Sequence, residues 1–283
     1  MKIIIFGIGF LGTKLISLLS KENRVIGIDR TPKNNLIKKL DATDKKAVRE
    51  FLLRERPDVV IDTIALTSSV ACEKNPELCK ELNYKTARNI SDICNEMGTK
   101  MIFISSSYVF DGKKGNYKEE DIPSPLNEYG KMKILAEKEI LRLNNSIVLR
   151  VDMIYGFNGW NEPKGVLNWI FSENEIILRE PNQLRQPVLI EDIENTIKVL
   201  LEKNQVGIFH VAGLTKISMI DFLKKLESLV RNNSQIRITK EEPEIKIKIP
   251  QNATLDISKI KSLGIQTKSL EEGLEILKNQ LKN

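Results

Sequence analysis

Histidine occurs once, at His210, and cysteine three times, at Cys72, Cys79 and Cys94. Their spacing is not that of a metal-ligand set, so no metal site is expected. The odd cysteine count, and the lack of a basic, apolar, small-residue order after Met1, lead to the expectation of reduced thiols in a cytoplasmic protein. No apolar run approaches the ~18 residues of a membrane span. Aromatic residues make up 6% of the chain, and the excess of basic residues is small, 44 Lys and Arg against 38 Asp and Glu, for a net charge of +6. The lysines are interleaved with glutamates, as in KKAVREFLLRER, which is the pattern of a solvated helix face. A nucleic-acid surface needs a basic stripe with aromatics, so no nucleic-acid partner is expected. Internal repeats and low-complexity tracts are also absent.

What is present is enough apolar material, 41% of 283 residues, for a large lobe with a smaller one. The chain opens with an apolar run, KIIIF, then Gly7-Ile-Gly9-Phe-Leu-Gly12, a helical pattern TKLISLLSKE, a second apolar run Val25-Ile-Gly-Ile28, and Asp29. Strand, glycine turn, helix, strand and acid in that order form a dinucleotide-binding pattern. One glycine makes the tight turn, one lets backbone approach a pyrophosphate, and one lets helix and strand pack closely. Phe10 and Leu11 fall at the helix start, where free N–H groups face a phosphate. Asp29 stands 17 residues after Gly12. A carboxylate there accepts from both ribose hydroxyls and favours NAD. Arg30 beside it suits a 2′-phosphate and favours NADP, so both cofactors stay open.

Asp41-Ala-Thr-Asp44 precedes the next helix. Asp41 sits where an acid contacts adenine, and Thr43 or Asp44 serves as a cap. Asp58 to Asp62 reads as a buried strand, and a long helix is expected from Pro76 to about Met97. Alternating strands and helices predict an α/β fold, a Rossmann-like doubly wound parallel sheet. Ligands belong at the carboxyl ends of its strands, where Ala65 and Ser105 to Ser107 fall. Residues 1–151 form the expected dinucleotide-binding domain. Residues 152–283 form a smaller α/β substrate lobe that partly returns to the main sheet. In it, Tyr155-Gly156 begins an irregular stretch holding Trp160 and Trp169. Gly207 to Val211 is a strand, and His210 inside it is a packed core residue.

Ile104 to Lys133 carries the chemistry. A buried strand ends in three serines. After a proline-broken loop, a helix is expected from Asn127 to about Leu143. Tyr129 and Lys133, four apart on it, share a face. A serine, a tyrosine and a lysine beside a nicotinamide are what ketone reduction needs. The tyrosine gives the proton, the lysine lowers its pKa, and the serine polarises the carbonyl. Ser105 or Ser107 is expected to substitute in part if one serine is lost.

With these motifs in order, the chain resembles the extended short-chain dehydrogenases/reductases, and within them the dTDP-4-dehydrorhamnose reductase family, which also holds the regulatory beta subunit of methionine adenosyltransferase. The resemblance rests on ISSSYVFDG followed by GNYKEEDIPSPLNEYGKMK. Further matches are Cys72-Glu73 with Asn75-Pro-Glu77, Arg150 with Tyr155-Gly156, Gln186-Pro187 ahead of Glu191-Asp192, and Asn252 to Asp256. It implies an NAD(P)-dependent oxidoreductase that reduces a nucleotide-linked 4-keto-6-deoxysugar. Tyr129 would be the proton donor, Lys133 its partner and ribose ligand, and Ser106 the carbonyl-polarising hydroxyl. Gly7, Gly9 and Gly12 would border the pyrophosphate. A homodimer is left open. Three features depart from the family pattern. The glycine motif is one residue shorter, Ser107 replaces an acid, and Leu66 and Ala71 replace polar residues in the segment after the fourth strand. A non-catalytic dinucleotide-binding regulatory subunit is therefore a second reading, and a nucleotide-sugar epimerase or dehydratase a third.

Overall fold

The computed structural model describes all residues except 33–36, 161, 173–174, 231–234, 240, 242–244 and 283. The first half alternates strand and helix: β1 (Lys2–Phe6), α1 (Phe10–Leu19), β2 (Arg24–Asp29), β3 (Ile37–Lys39), α2 (Lys45–Glu55), β4 (Val59–Asp62), α3 (Ser69–Lys74), α4 (Pro76–Lys80), α5 (Thr86–Met97), β5 (Lys100–Ser106), α6 (Glu128–Ile140) and β6 (Ser146–Val151). The second half carries β7 (Ile154–Tyr155), α7 (Val166–Ser172), β8 (Glu175–Leu178), β9 (Leu184–Arg185), β10 (Val188–Leu189), α8 (Ile190–Glu202), β11 (Gly207–Val211), β12 (Ile217–Ser218), α9 (Met219–Val230), β13 (Gln235–Ile238), α10 (Ser258–Ser262) and α11 (Leu270–Lys282).

Seven parallel strands form the central sheet in the order β11-β6-β5-β4-β1-β2-β3. Successive residues of a strand point to opposite faces. Thus Ile3 and Ile5 pack with Leu11 and Leu15 of α1 and with Ile193 and Ile197 of α8. Ile4 and Phe6 pack with Val48 of α2, Ile90 of α5 and Ala136 of α6. Both faces are covered, which is why the strands read as continuous apolar runs. Each fully buried Ile or Leu contributes ~1.5–3 kcal/mol relative to exposure. β11 joins the sheet beside β6, in parallel. A separate core forms around Tyr155, Phe157, Leu167, Phe222, Leu223 and Leu277.

Some local expectations change. The helix predicted from Pro76 to Met97 is continuous but contains a π-helical turn at Glu81–Lys85. Gly98, in the left-handed region at φ 67°, ends it. Asp44, not Thr43, caps α2, accepting from the Ala47 N–H. The stretch read as irregular contains α7, which carries Trp169. Among the described residues no helix is long and apolar enough to cross a membrane.

Candidate active site

β1 and β4 are neighbours, and the chain leaves them towards opposite edges of the sheet. The point where the strand order reverses, which is where a doubly wound sheet takes its ligand, therefore lies at their carboxyl ends, with Gly7 packed directly on the Thr63–Ile64 segment. The glycine turn lies there. A Cβ on Gly7 would lie 2.8 Å from the Ile64 nitrogen, and one on Gly12 would lie 2.1 Å from the Gly7 oxygen. Neither position has room for a side chain. A Cβ on Gly9 meets nothing within 4 Å, so backbone there faces open space. Gly9 is the N-cap of α1, and no side chain caps that helix. Its first-turn amides are the groups that would meet an anion.

The acids expected near the cofactor have local partners. Asp29 accepts from the Ile8 N–H at 2.8 Å and the Thr31 N–H at 2.9 Å, so it also braces the glycine turn. Arg30 beside it is exposed. Asp41 accepts from the Thr43 N–H and hydroxyl at 2.9 and 2.8 Å. Ala65 lies in the segment after β4, held by Asn83. That amide accepts from the Leu66 N–H at 3.0 Å and donates to the Leu66 carbonyl at 3.2 Å.

Ser106, Tyr129 and Lys133 come together at the carboxyl end of β5 and the start of α6. Asn127 caps α6 by accepting from the Gly130 N–H at 3.0 Å. Glu73 accepts from the Glu128 N–H at 2.9 Å. A Cβ on Gly130 would lie 2.3 Å from the Tyr108 oxygen, so only glycine lets this end of α6 approach the turn after β5. The Ser106 hydroxyl neighbours the Tyr129 phenol and favours its ionised form. Lys133 is buried; its ammonium donates to the Ile104 carbonyl at 2.9 Å and lies 4.6 Å from the Phe103 ring centroid and 5.9 Å from that of Tyr129. Burial pushes the Tyr129 phenol up to about 12. Burial also pulls Lys133 down to about 8, against the opposing pull of Asp62 and Glu137. The expected lowering of the tyrosine pKa is therefore not a property of the protein alone. The ammonium is turned to a carbonyl and burial outweighs it.

The neighbouring serines do not stand in for Ser106. Ser105 donates to Glu137, which also pairs with the buried Arg150 at 2.7 Å. Ser107 donates to Asp152 at 2.7 Å. Ser105 precedes Ser106 on β5 and so points to the opposite face, while Ser107 lies beyond the strand end in a turn of 3-10 helix. His210 is a core residue, as expected: its ring lies 3.0 Å from the Tyr117 carbonyl, and burial, helped by Arg150, pulls it down to about 3.

Two residues escaped the sequence reading. Arg185 is buried, paired to Asp152, and lies 4.9 Å from the Tyr108 ring centroid. Its Nε and Nη1 have no hydrogen-bond partner. The available signal was an arginine in the short polar stretch Gln183 to Pro187 just ahead of the apolar run Val188-Leu-Ile190. Asp62 ends β4, is buried, and accepts from the Ile64 N–H at 2.9 Å through one oxygen, while Oδ2 has no partner. Burial pushes it up to about 6, against the opposing charge of Lys133. An acid ending the run Val59-Val-Ile61 was its signal.

The family model described as the RmlD substrate binding domain matches residues 1–283. Methionine adenosyltransferase 2 subunit beta of Rattus norvegicus is 33% identical over 235 residues, which are 78% of this chain and 70% of the relative. The crystal structure of a hypothetical dTDP-4-dehydrorhamnose reductase from Sulfolobus tokodaii is 31% identical with a TM-score of 0.82, covering 93% of this chain and 94% of that one. The dTDP-4-dehydrorhamnose reductase of Bacillus anthracis, solved in complex with NADP, is 28% identical with a TM-score of 0.84 over 98% of each chain. Matched over its whole length, the chain belongs to the RmlD substrate binding domain family, alongside the dTDP-4-dehydrorhamnose reductases.

Proposed function

We propose that this protein is an NAD(P)-dependent reductase that converts the 4-keto group of a nucleotide-linked 6-deoxysugar to an alcohol. Residues 1–151 hold the cofactor and residues 152–283 close over the sugar nucleotide. The observation that carries the reading is the convergence of Ser106, Tyr129 and Lys133 near the carboxyl ends of β1 and β4, where the strand order reverses.

The residues present fit a dinucleotide. Gly9 leaves open space above an uncapped helix start, and Gly7 and Gly12 are too tightly enclosed for any side chain. Phe10 and Leu11 offer their amides to the pyrophosphate, Asp29 or Arg30 meets the adenosine ribose, and Asp41 and Ala65 border the rest. When bound, the nicotinamide supplies the hydride. Ser106 holds and polarises the carbonyl oxygen. Tyr129, protonated at neutral pH because its phenol sits near 12, hands that oxygen its proton. Lys133 holds the nicotinamide ribose and stabilises the phenolate that remains. Arg185 offers its unpartnered donors to the anionic diphosphate of the substrate.

The test is fluorescence titration with NADPH and NADH, followed by turnover on 4-keto-6-deoxysugar nucleotides. Tyr129→Phe removes only a hydroxyl, so cofactor affinity should persist while turnover falls by about 10²- to 10⁴-fold. Full activity in that variant would overturn the mechanism. The similarity to methionine adenosyltransferase 2 subunit beta supports a second reading, a dinucleotide-binding regulatory subunit. Tight cofactor binding without turnover, together with co-purification with a methionine adenosyltransferase, would put that reading first.

A further inference from the structure

Cys72 on α3 and Cys79 on α4 are wholly buried, and their sulfurs lie 2.6 Å apart. Both are free thiols. That separation is close to the ~2.05 Å of a disulfide bond. The Asn83 amide points at the pair, 3.2 Å from the Cys79 sulfur and 3.7 Å from that of Cys72. Tyr129, Met132 and Leu66 pack around them. Cys94 belongs to a different cluster, on α5, which contains no second cysteine. The two thiols flank Glu73 and Asn75. Glu73 accepts from the Glu128 N–H at the start of α6, and Asn75 caps α4.

We propose that Cys72 and Cys79 are a disulfide-forming pair, a covalent strap between α3 and α4 beneath the helix that carries Tyr129. The oxidant is a disulfide such as oxidised glutathione. One cysteine thiolate attacks a sulfur of the oxidant and displaces one glutathione thiolate. The second cysteine thiolate attacks the protein-bound sulfur of the mixed disulfide and displaces the other. Two protein thiols are oxidised, one glutathione disulfide is reduced to two thiols, and the two protons pass to the departing thiolates. Burial pushes the Cys72 thiol well above its ordinary range, so exchange in the folded chain is slow. The same burial shields the bond from reductants once it has formed. The pair therefore closes most readily while the chain folds. This inference does not depend on the catalytic reading.

The protein is unfolded and refolded in two arms, one with a reduced to oxidised glutathione mixture and one with excess dithiothreitol. Each is then quenched in denaturant with iodoacetamide and measured by intact mass and peptide mapping. The oxidised arm should take up one alkyl group, at Cys94, and yield a crosslinked Cys72–Cys79 peptide; the reduced arm should take up three. The oxidised protein should also melt higher, by about 5 °C for a closed loop of this length. Cys79→Ser should take up two alkyl groups in both arms and show no difference in melting. Three alkyl groups in both arms of the wild type, or a bridge involving Cys94, would overturn the proposal.

Discussion

Asp62 places a carboxylate where the fold has little use for its charge, and Asp62→Asn should therefore stabilise the protein in a pH-dependent way. The carboxyl is buried, one oxygen has no partner, and its pKa stands at about 6 against an ordinary 3.8. At about 1.4 kcal/mol per pH unit, that gap corresponds to ~3 kcal/mol. The sign follows from proton binding. The folded chain holds the Asp62 proton more tightly than the unfolded chain does, so between pH ~4 and ~6 the unfolded state deprotonates first. Wild-type stability should fall as pH rises through that window, and the cost should be complete above about pH 6. Asparagine keeps the oxygen that accepts from the Ile64 N–H but does not titrate. Its second polar atom inherits the unpartnered position, which shifts the stability by an amount that does not depend on pH. The readout is therefore the slope. Urea unfolding at pH 4, 5, 6 and 7 should show the variant gaining up to ~3 kcal/mol on the wild type across the range. A difference that stays flat with pH would refute the reasoning. Asp62 also helps keep Lys133 protonated, so the variant's activity should fail at lower pH on the alkaline side.

Gly9→Val should abolish dinucleotide binding while leaving the melting temperature nearly unchanged, because a Cβ there meets no protein atom; fluorescence titration and a thermal scan check both halves. Arg185→Met should raise KM for a sugar nucleotide, by about 10-fold or more for a buried charge-assisted contact, with little change in cofactor affinity; steady-state kinetics read it. Asp29→Asn should shift cofactor preference towards NADP, and Arg30→Ala towards NAD; an unchanged preference ratio in both would place neither residue at the ribose.

The features legible in the sequence are those set by local pattern. The glycine turn needs only strand, spacing and helix to be recognised, and Gly7 and Gly12 prove to be positions where any Cβ collides. The shared face of Tyr129 and Lys133 follows from helical period alone. The π-helical turn at Glu81–Lys85 is different, because nothing in ELNYK marks an extra residue per turn; the turn carries Asn83, which reaches the loop after β4. The commitments of Ser105 to Glu137 and of Ser107 to Asp152 were also hidden, since their partners lie 32 and 45 residues away. Asp62 and Arg185 read as single charged residues beside apolar runs. Only the packed structure shows that each keeps unpartnered polar atoms.

The frame of the site does not depend on the side chains at Leu66 and Ala71. The loop after β4 is held through its backbone by Asn83, whatever side chain stands at position 66. Around this frame the chain gathers unfavourable burials. A lysine is pulled down to about 8, an aspartate is pushed up to about 6, and an arginine keeps two unpartnered donors. Buried charges with incomplete partners cost stability, and apolar residues of similar size are commonly as stable or more so. A dinucleotide-binding scaffold needs its glycine turn, its sheet and a ribose ligand such as Lys133, but it has no use for a buried phenol set beside a serine hydroxyl. Groups with perturbed pKa values gathered in one cleft support chemistry at that cleft. This concentration of cost around Tyr129 is the physical ground for placing the reductase reading ahead of the regulatory one.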